Sequence, residues 1–533
     1  MLCRYTFFVG PGNNGELVKR TIGRRPWWKE CTNREAVDWN LFWVQVRDKK
    51  AADEAKRRNK GNQFLNHLEG LTDMCDKSKL FQNLKSYCHR MKRNLFDIVP
   101  NTYIITHGQN NTDYMEFCNH IKSLSDKSKG GSSNPAPSLP APRSRSSENV
   151  RPDLEPVASS SLSSTVASKG RVPPRAGSIA PARPRPGIVL AADAPSKPAP
   201  ISATPLKQGP KGRSQSAIVG SVGKESSGIA NFAATGQSMP ITHKDTPTKE
   251  NVHPAANAAA APVAAAAAKS SDKLQPSSLD AGKNLWIVKP THANRGTGIR
   301  MFRSLAAIQA HLAEKGGTMV VQKYVECPLL LMNRKFDIRC LVFVDVQMNV
   351  YMYQDSYVRM SSYTYDTENL EDRSIHLTNY AVQKKTDAAS QFEEGNNLTL
   401  DDFQRIVREE HPDRPDFDVQ RDIVEQYKKL IIETFNACKD KLNPFREKHT
   451  FEVYGFDFLV DANFKVWLLE VNTNPYIGCS SAIITRIFTG MLEGVARLTI
   501  DPYFPGPANA PPLEEVEGAD RWLKVSLPAL SFC

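Results

Sequence analysis

No C-x-x-C pair and no metal-like Cys/His spacing occurs among the ten cysteines, which scatter from Cys3 to Cys533. That excludes the common zinc-finger and thioredoxin-like patterns and leaves free thiols in a reducing compartment as the expectation. Nothing approaches the roughly 18 consecutive apolar residues of a membrane span. The first ten residues carry only the short apolar run Tyr5 to Val9, below the roughly 7–15 residues of a secretory core. The G-K-[ST] ending of a Walker A loop is missing too. A soluble intracellular chain without a P-loop is expected. Acidic residues are outnumbered: 57 Asp and Glu stand against 69 Lys and Arg, a formal net charge of +12. This favours an anionic partner, and nucleic acid, anionic membrane and acidic protein all qualify.

Aromatics are scarce in one place. Between residues 126 and 282 Phe232 stands alone, amid Ser, Pro, Ala, Gly and basic residues, with a Pro-rich run at 173–186 and alanine tracts at 258–261 and 264–268. Such a segment cannot bury enough apolar surface to offset its ordering entropy, so a disordered basic linker is expected. It reads either as a solvated spacer or as a tether for an acidic polymer. Its lack of stacking aromatics counts against nucleic acid.

The flanks read as folded. In residues 1–125, Tyr5–Val9, Leu41–Val46 and Thr102–Ile105 read as strands, and helical spacing runs between Leu65 and Leu95. This suggests a smaller N-terminal α/β domain. In residues 283–512 strands are expected at Leu285–Val288, Met319–Gln322, Phe336–Asp345 and Val350–Tyr353. A hairpin is expected from Glu452–Val460 and Lys465–Val471, and helices at Ser304–Leu312, Asp422–Cys438 and Ile483–Leu498. Few βαβ crossovers fit this order, so the expected class is α+β with antiparallel sheets. Residues 513–533 form a tail.

Four segments could carry chemistry. Lys289 to Ile299 places a lysine at a strand end before Gly296 and Gly298; it reads as a phosphate-cradling loop or an ordinary hairpin loop. Gln322-Lys323-Tyr324-Val325-Glu326 reads as the edge of a base pocket or a solvated strand end. In Lys335-Phe336-Asp337-Ile338-Arg339, a strand's period of two puts the three charged residues on one face. That face is either solvated or the floor of a polar cleft gripping phosphate and carboxylate oxygens. The most informative segment is the hairpin, where Asp457 lies opposite or diagonal to Glu470, and Glu470 shares a face with Asn472. Three oxygen ligands among apolar neighbours suit Mg²⁺, and burying both acids without a cation would be costly. Arg359 and the run His376-Leu377-Thr378-Asn379 lie between these segments; His376 alone reads as well as a structural histidine.

In this order, Trp286-Ile287-Val288-Lys289-Pro290, Gly296-Thr297-Gly298-Ile299, Gln322-Lys323-Tyr324, Lys335 to Arg339, His376 to Asn379, Gly455-Phe456-Asp457-Phe458 and Leu469-Glu470-Val471-Asn472 resemble the tubulin tyrosine ligase-like family of ATP-grasp enzymes. The resemblance spans residues 283–505, with a weaker match in 1–125 through Trp27-Trp28, Asn66-His67 and the segment from Lys77 to Leu84. It implies an ATP-grasp core and places residues 126–282 as an insertion. It further implies that Lys289, Gln322, Lys323, Val325, Lys335 and Asp337 contact ATP, with Lys77 reaching in from the N-terminal region. Asp457, Glu470 and Asn472 would hold Mg²⁺. Arg339, Arg359, His376, Thr378 and Asn379 would line the nucleotide and acceptor end, with Lys335, Arg339 and Arg359 acting in catalysis. The implied reaction adds an amino acid, glutamate or tyrosine with glycine as the alternative, to an acidic tubulin tail through an acyl-phosphate; a catalytically inactive microtubule-binding relative is the other alternative. A monomer in the cytoplasm, on the cytoskeleton or in a cilium or flagellum is implied, with tubulin or microtubules and a free amino acid as partners and neither nucleic acid nor membrane. Thr297 and Asn472-Thr473-Asn474-Pro475 depart from the pattern of several relatives and leave the donor open.

Overall fold

The computed structural model describes residues 3–36, 38–58, 62–106, 111–130, 279, 281–386 and 396–525. Most of the 126–282 segment, and with it the expectation of disorder, lies outside them.

The N-terminal region runs β1 (Tyr5–Val9), α1 (Gly15–Gly23), β2 (Trp28–Glu30), β3 (Leu41–Trp43), α2 (Lys49–Arg58), β4 (Phe64–Asn66), α3 (Thr72–Cys75), α4 (Lys77–Met91), β5 (Thr102–Ile105) and α5 (Thr112–Gly130). Next come β6 (Trp286–Pro290), β7 (Arg300–Phe302), α6 (Leu305–Lys315), β8 (Met319–Lys323), β9 (Leu330–Leu331), β10 (Arg334–Val344), β11 (Val350–Tyr353) and β12 (Tyr357–Thr364). The chain closes with α7 (Arg373–His376), α8 (Tyr380–Gln383), β13 (Asn397–Thr399), α9 (Leu400–Glu410), α10 (Glu425–Cys438), β14 (Thr450–Val460), β15 (Val466–Thr473), α11 (Ala482–Val495) and β16 (Trp522–Val525). The α+β class holds. Among the described residues no helix is long and apolar enough to cross a membrane.

Two sheets form. In the larger, β13, β12, β10, β14, β4, β3, β1 and β2 lie side by side, with β15 also on β14. The C-terminal half pairs antiparallel, whereas β1 to β4 pair parallel and join through β4 alongside β14. The smaller sheet runs β5-β8-β6-β7 and is antiparallel. The N-terminal region thus adds strands to both sheets. The tail also contributes: β16 pairs with β11.

Period-two patterning explains how β10 serves two cores and a site. Phe336, Ile338, Cys340, Val342 and Val344 face the cluster that α9, α10 and α4 cover. Leu341 and Phe343 face the opposite cluster with α1 and α11. Lys335, Asp337 and Arg339 continue this second face toward the strand's start. Helix starts follow their caps: Ser304 accepts from the Ala307 amide at α6, and Asp76 accepts from Ser78 and Lys79 at α4. The helix expected from Asp422 begins instead with a wider π-type turn at Gln420–Val424 before α10. It still buries Ile423, Tyr427, Leu430, Ile431 and Phe435.

Candidate active site

Strand register assembles the charges. Across β12 and β10, Arg359 lies opposite Asp337; across β10 and β14, Arg339 lies opposite Asp457; across β14 and β15, Asp457 lies opposite Glu470. Each contact then forms between cross-strand neighbours. Arg359 grips Asp337 with Nε at 2.6 Å and Nη2 at 2.7 Å. Arg339 grips Asp457 through Nε and Nη2, the latter at 3.0 Å, and Arg359 Nη2 also reaches Asp457 Oδ2 at 3.0 Å. Gly455 permits this: any Cβ there would start 3.1 Å from an Arg339 guanidinium nitrogen. All four side chains are buried. Burial alone would raise the Asp457 carboxyl, but the Arg339 guanidinium, with that of Arg359, holds it down at about 2.

After Asp457 the β14–β15 register shifts, so Leu469 has no opposite residue and the hairpin carries a bulge. The bulge leaves Leu468 in the core while Leu469 and Glu470 both line the cleft. Asn472 Nδ2 donates to Glu470 Oε1 at 3.1 Å and Asp457 Oδ2 at 3.3 Å. Asp457 does not point into water; its exposure is 2%.

The cleft lies between the two sheets and opens to solvent. Lys289, Gln322, Lys323, Val325, Lys335, Asp337, His376, Thr378, Asn379, Asp457 and Glu470 all line it. Lys77 lines an adjoining cavity with Lys289, Gln322 and Glu470; its Nζ lies 3.4 Å from Glu470 Oε2 and donates to the Ala293 carbonyl at 3.0 Å. Arg339, Arg359 and Asn472 attach to the lining acids from beside them. The structure therefore brings every sequence-predicted site residue together. Thr378 Oγ1 donates to Asp337. Lys289 Nζ donates to Gln322 Oε1 at 2.8 Å, and Gln322 Nε2 to Thr102 Oγ1 at 2.8 Å. Burial lowers Lys289 to about 8, opposed by Glu470, and lowers Lys335 to about 7, helped by nearby Lys289. Clustered buried lysines without an anion are electrostatically costly, and phosphate oxygens would relieve that cost.

Tyr324 is a residue the sequence reading passed over as part of a pocket edge. Lys335 Nζ donates to its hydroxyl at 2.9 Å and sits 4.3 Å from its ring centroid. The same hydroxyl lies 2.9 Å from His376 Nδ1, and His376 Nε2 lies 2.7 Å from the Asn369 carbonyl. A carbonyl only accepts, so Nε2 carries the proton. Burial takes His376 down to about 4, so the ring is neutral and Nδ1 accepts from Tyr324. Both His376 nitrogens are thus engaged in holding Tyr324, which holds Lys335. Only the assembled fold puts these three side chains in contact, since they come from the residue after β8, from β10 and from α7.

Among the described residues no group of three or more His, Cys, Asp and Glu could hold a metal. Two carboxylates and an amide oxygen are a set Mg²⁺ accepts when phosphate oxygens and water complete its octahedron. The donor chemistry fits, with Glu470 the less encumbered acid.

A sequence model of the Tubulin-tyrosine ligase family matches residues 234–507, just over half the chain. The chain belongs to this family. Among individual relatives, it is 35% identical over 224 residues to Tubulin glycylase 3D of Tetrahymena thermophila, covering 41% of this chain and 21% of that protein. It is 31% identical over 234 residues to Tubulin monoglycylase TTLL3 of Mus musculus, covering 42% and 25%. With the Probable tubulin polyglutamylase ttll-9 of Caenorhabditis elegans it shares 32% over 255 residues, covering 46% and 58%. The chain spans about a fifth of the length of the Tetrahymena glycylases it matches. The cleft residues of this tubulin-tyrosine ligase family member from Lys289 to Asn472 fall inside the matched span.

Proposed function

We propose that the chain is an ATP- and Mg²⁺-dependent ligase that forms an amide between an amino acid and a side-chain or terminal carboxylate on a tubulin tail. The observation that carries this reading is one cleft holding buried lysines, arginines and ionised acids in alternation. Val325, Leu459 and Leu469 offer an apolar wall for a base. Lys289 and Lys335 bind phosphates. Asp457, Glu470 and Asn472 would hold Mg²⁺, which when bound would supply neutralising positive charge to the phosphates. The acceptor carboxylate attacks the γ-phosphorus, the bond to the leaving ADP breaks, and an acyl-phosphate results. The donor amine then attacks the acyl carbon and phosphate leaves. Arg339 and Arg359, pre-positioned by Asp457 and Asp337, counter the negative charge brought together by phosphate and acceptor. No covalent intermediate on the chain is required.

The names of relatives favour glycine as donor: seven glycylases match at 31–36% identity. Glutamate is the second reading, favoured by the polyglutamylase match, of which the chain covers the larger share. The basic balance of +12 suits an acidic tail on the cytoskeleton. Residues 1–125, 126–282, 283–512 and 513–533 remain the proposed division into N-terminal domain, linker, ligase core and tail. The test is incorporation of labelled glycine, glutamate or tyrosine into purified tubulin with ATP and Mg²⁺. Incorporation of one names the donor; incorporation of none, together with no ADP binding, contradicts the reading.

A further inference from the structure

The chain enters β6 through a short strap, residues 281–285, whose amides converge on one side chain. Glu326 accepts from the Ala281 amide at 2.7 Å, the Lys283 amide at 3.1 Å and the Leu285 amide at 2.7 Å. The same carboxylate pairs with Lys323 Nζ. Its side chain has no solvent exposure. Four donors on one buried carboxylate offset its desolvation, which none of them would do singly. Just before the strap, Leu279 packs with Val325, Leu459, Trp467 and Leu469; three of these line the cleft. Beyond Glu326 its own carbonyl accepts from the Tyr365 hydroxyl at 2.9 Å, and Lys283 Nζ reaches Glu368 at 3.0 Å.

We propose that Glu326 is a positioning residue for the nucleotide, locking Lys323 and the strap into one wall of the cleft. The proposal rests on the ligase reading above. Glu326 does not line the cleft; it acts through Lys323 and through the backbone that carries Leu279 and Leu285. The phosphate end is held separately, Lys335 by Tyr324 and Asp337 by Arg359. Loosening the wall should therefore weaken nucleotide binding while sparing the chemical step.

Two variants of the full chain test this. Glu326→Gln keeps the shape but offers one acceptor oxygen and an NH₂ group that faces amide donors. Gly282→Val leaves Glu326 intact and acts on the strap alone: Gly282 has φ +81°, which a β-branched residue resists, and a Cβ there meets nothing within 4 Å. ADP with Mg²⁺ is titrated by calorimetry, and KM for ATP and kcat are measured beside the melting temperature of the nucleotide-free chain. The expected result is ADP binding about tenfold weaker or more in both variants, with KM raised and kcat retained. Wild-type ADP affinity in both folded variants would overturn the proposal. So would loss of the fold in both, which would make Glu326 a folding residue. If Glu326→Gln alone fails to fold, Gly282→Val decides. Failure of the unaltered chain to bind ADP would instead refute the ligase reading on which the proposal stands.

Discussion

On the proposed ligase reading, Lys335 should make nucleotide binding a proton-linked event. Burial lowers its ammonium to about 7, and Lys289 lies at about 8 for the same first reason. A bound triphosphate favours the charged lysine and returns it toward its usual value, so binding takes up a proton wherever the free lysine is neutral. With a free value of 7, affinity falls as 1 + 10^(pH−7), about fivefold from pH 7 to 8 and about fiftyfold from pH 7 to 9. Lys289 adds at most about tenfold over the same range. Calorimetric titration of a non-hydrolysable ATP analogue with Mg²⁺, in two buffers of different ionisation enthalpy, reads both the affinity and the protons. The expected result is uptake of about one proton at pH 8 from Lys335, with Lys289 adding about half. Lys335→Arg, charged throughout, should flatten the dependence to the part that Lys289 supplies. Affinity that is constant from pH 7 to 9, with heats independent of buffer, would refute the reasoning. The sign for stability runs the other way. The unfolded lysines hold their protons up to about 10.4, so the nucleotide-free fold gains stability as pH rises from about 7 through that window.

Other substitutions separate the parts of the site. Glu470→Gln should abolish turnover while the melting temperature stays near that of the unaltered chain, because Glu470 is partly exposed, the isosteric amide keeps an oxygen toward Lys77, and Lys77 retains its bond to the Ala293 carbonyl. Arg359→Met should destabilise by about 3–5 kcal/mol in urea unfolding, since it strips a guanidinium from buried Asp337 and Asp457 together. Tyr324→Phe should lower kcat/KM for ATP about tenfold or more, because Lys335 loses a charged hydrogen bond of about 1.5–3 kcal/mol. Gly298→Ala should raise KM for ATP: the residue has φ +72° and its new Cβ would lie 2.8 Å from Pro290 Cγ, straining the loop by about 1–3 kcal/mol.

Residue spacing made the floor of the cleft legible. Period two in β10 sets Lys335, Asp337 and Arg339 on one face. Of the two placements the spacing allows, the hairpin takes Asp457 opposite Glu470, whereas the Asp337–Arg359 and Arg339–Asp457 pairs follow only from the observed register. What spacing left out depends on contacts between elements distant in sequence. Tyr324 and Glu326 stand in the polar segment Gln322 to Glu326, and apart from Lys323 beside Glu326 their partners lie 11 to 52 residues away or on the incoming strap. The β-bulge at Asp457 has no signature in Phe456-Asp457-Phe458, yet it decides that Leu469 joins Glu470 in the cleft. The parallel joining of β4 to β14 rests on two residue pairs, and β16 is a four-residue strand beyond a proline-rich stretch, too short to be read without its partner β11.

The most direct test of the central claim follows one oxygen atom. A tubulin-tail peptide whose acidic side chains and terminal carboxylate all carry ¹⁸O is incubated with the chain, ATP, Mg²⁺ and the donor amino acid. If the carboxylate attacks the γ-phosphorus, each amide formed releases one phosphate bearing one ¹⁸O, and Glu470→Gln releases none. Amide formation with unlabelled phosphate would contradict an acyl-phosphate and the roles given to Arg339, Arg359 and Lys335 in its formation.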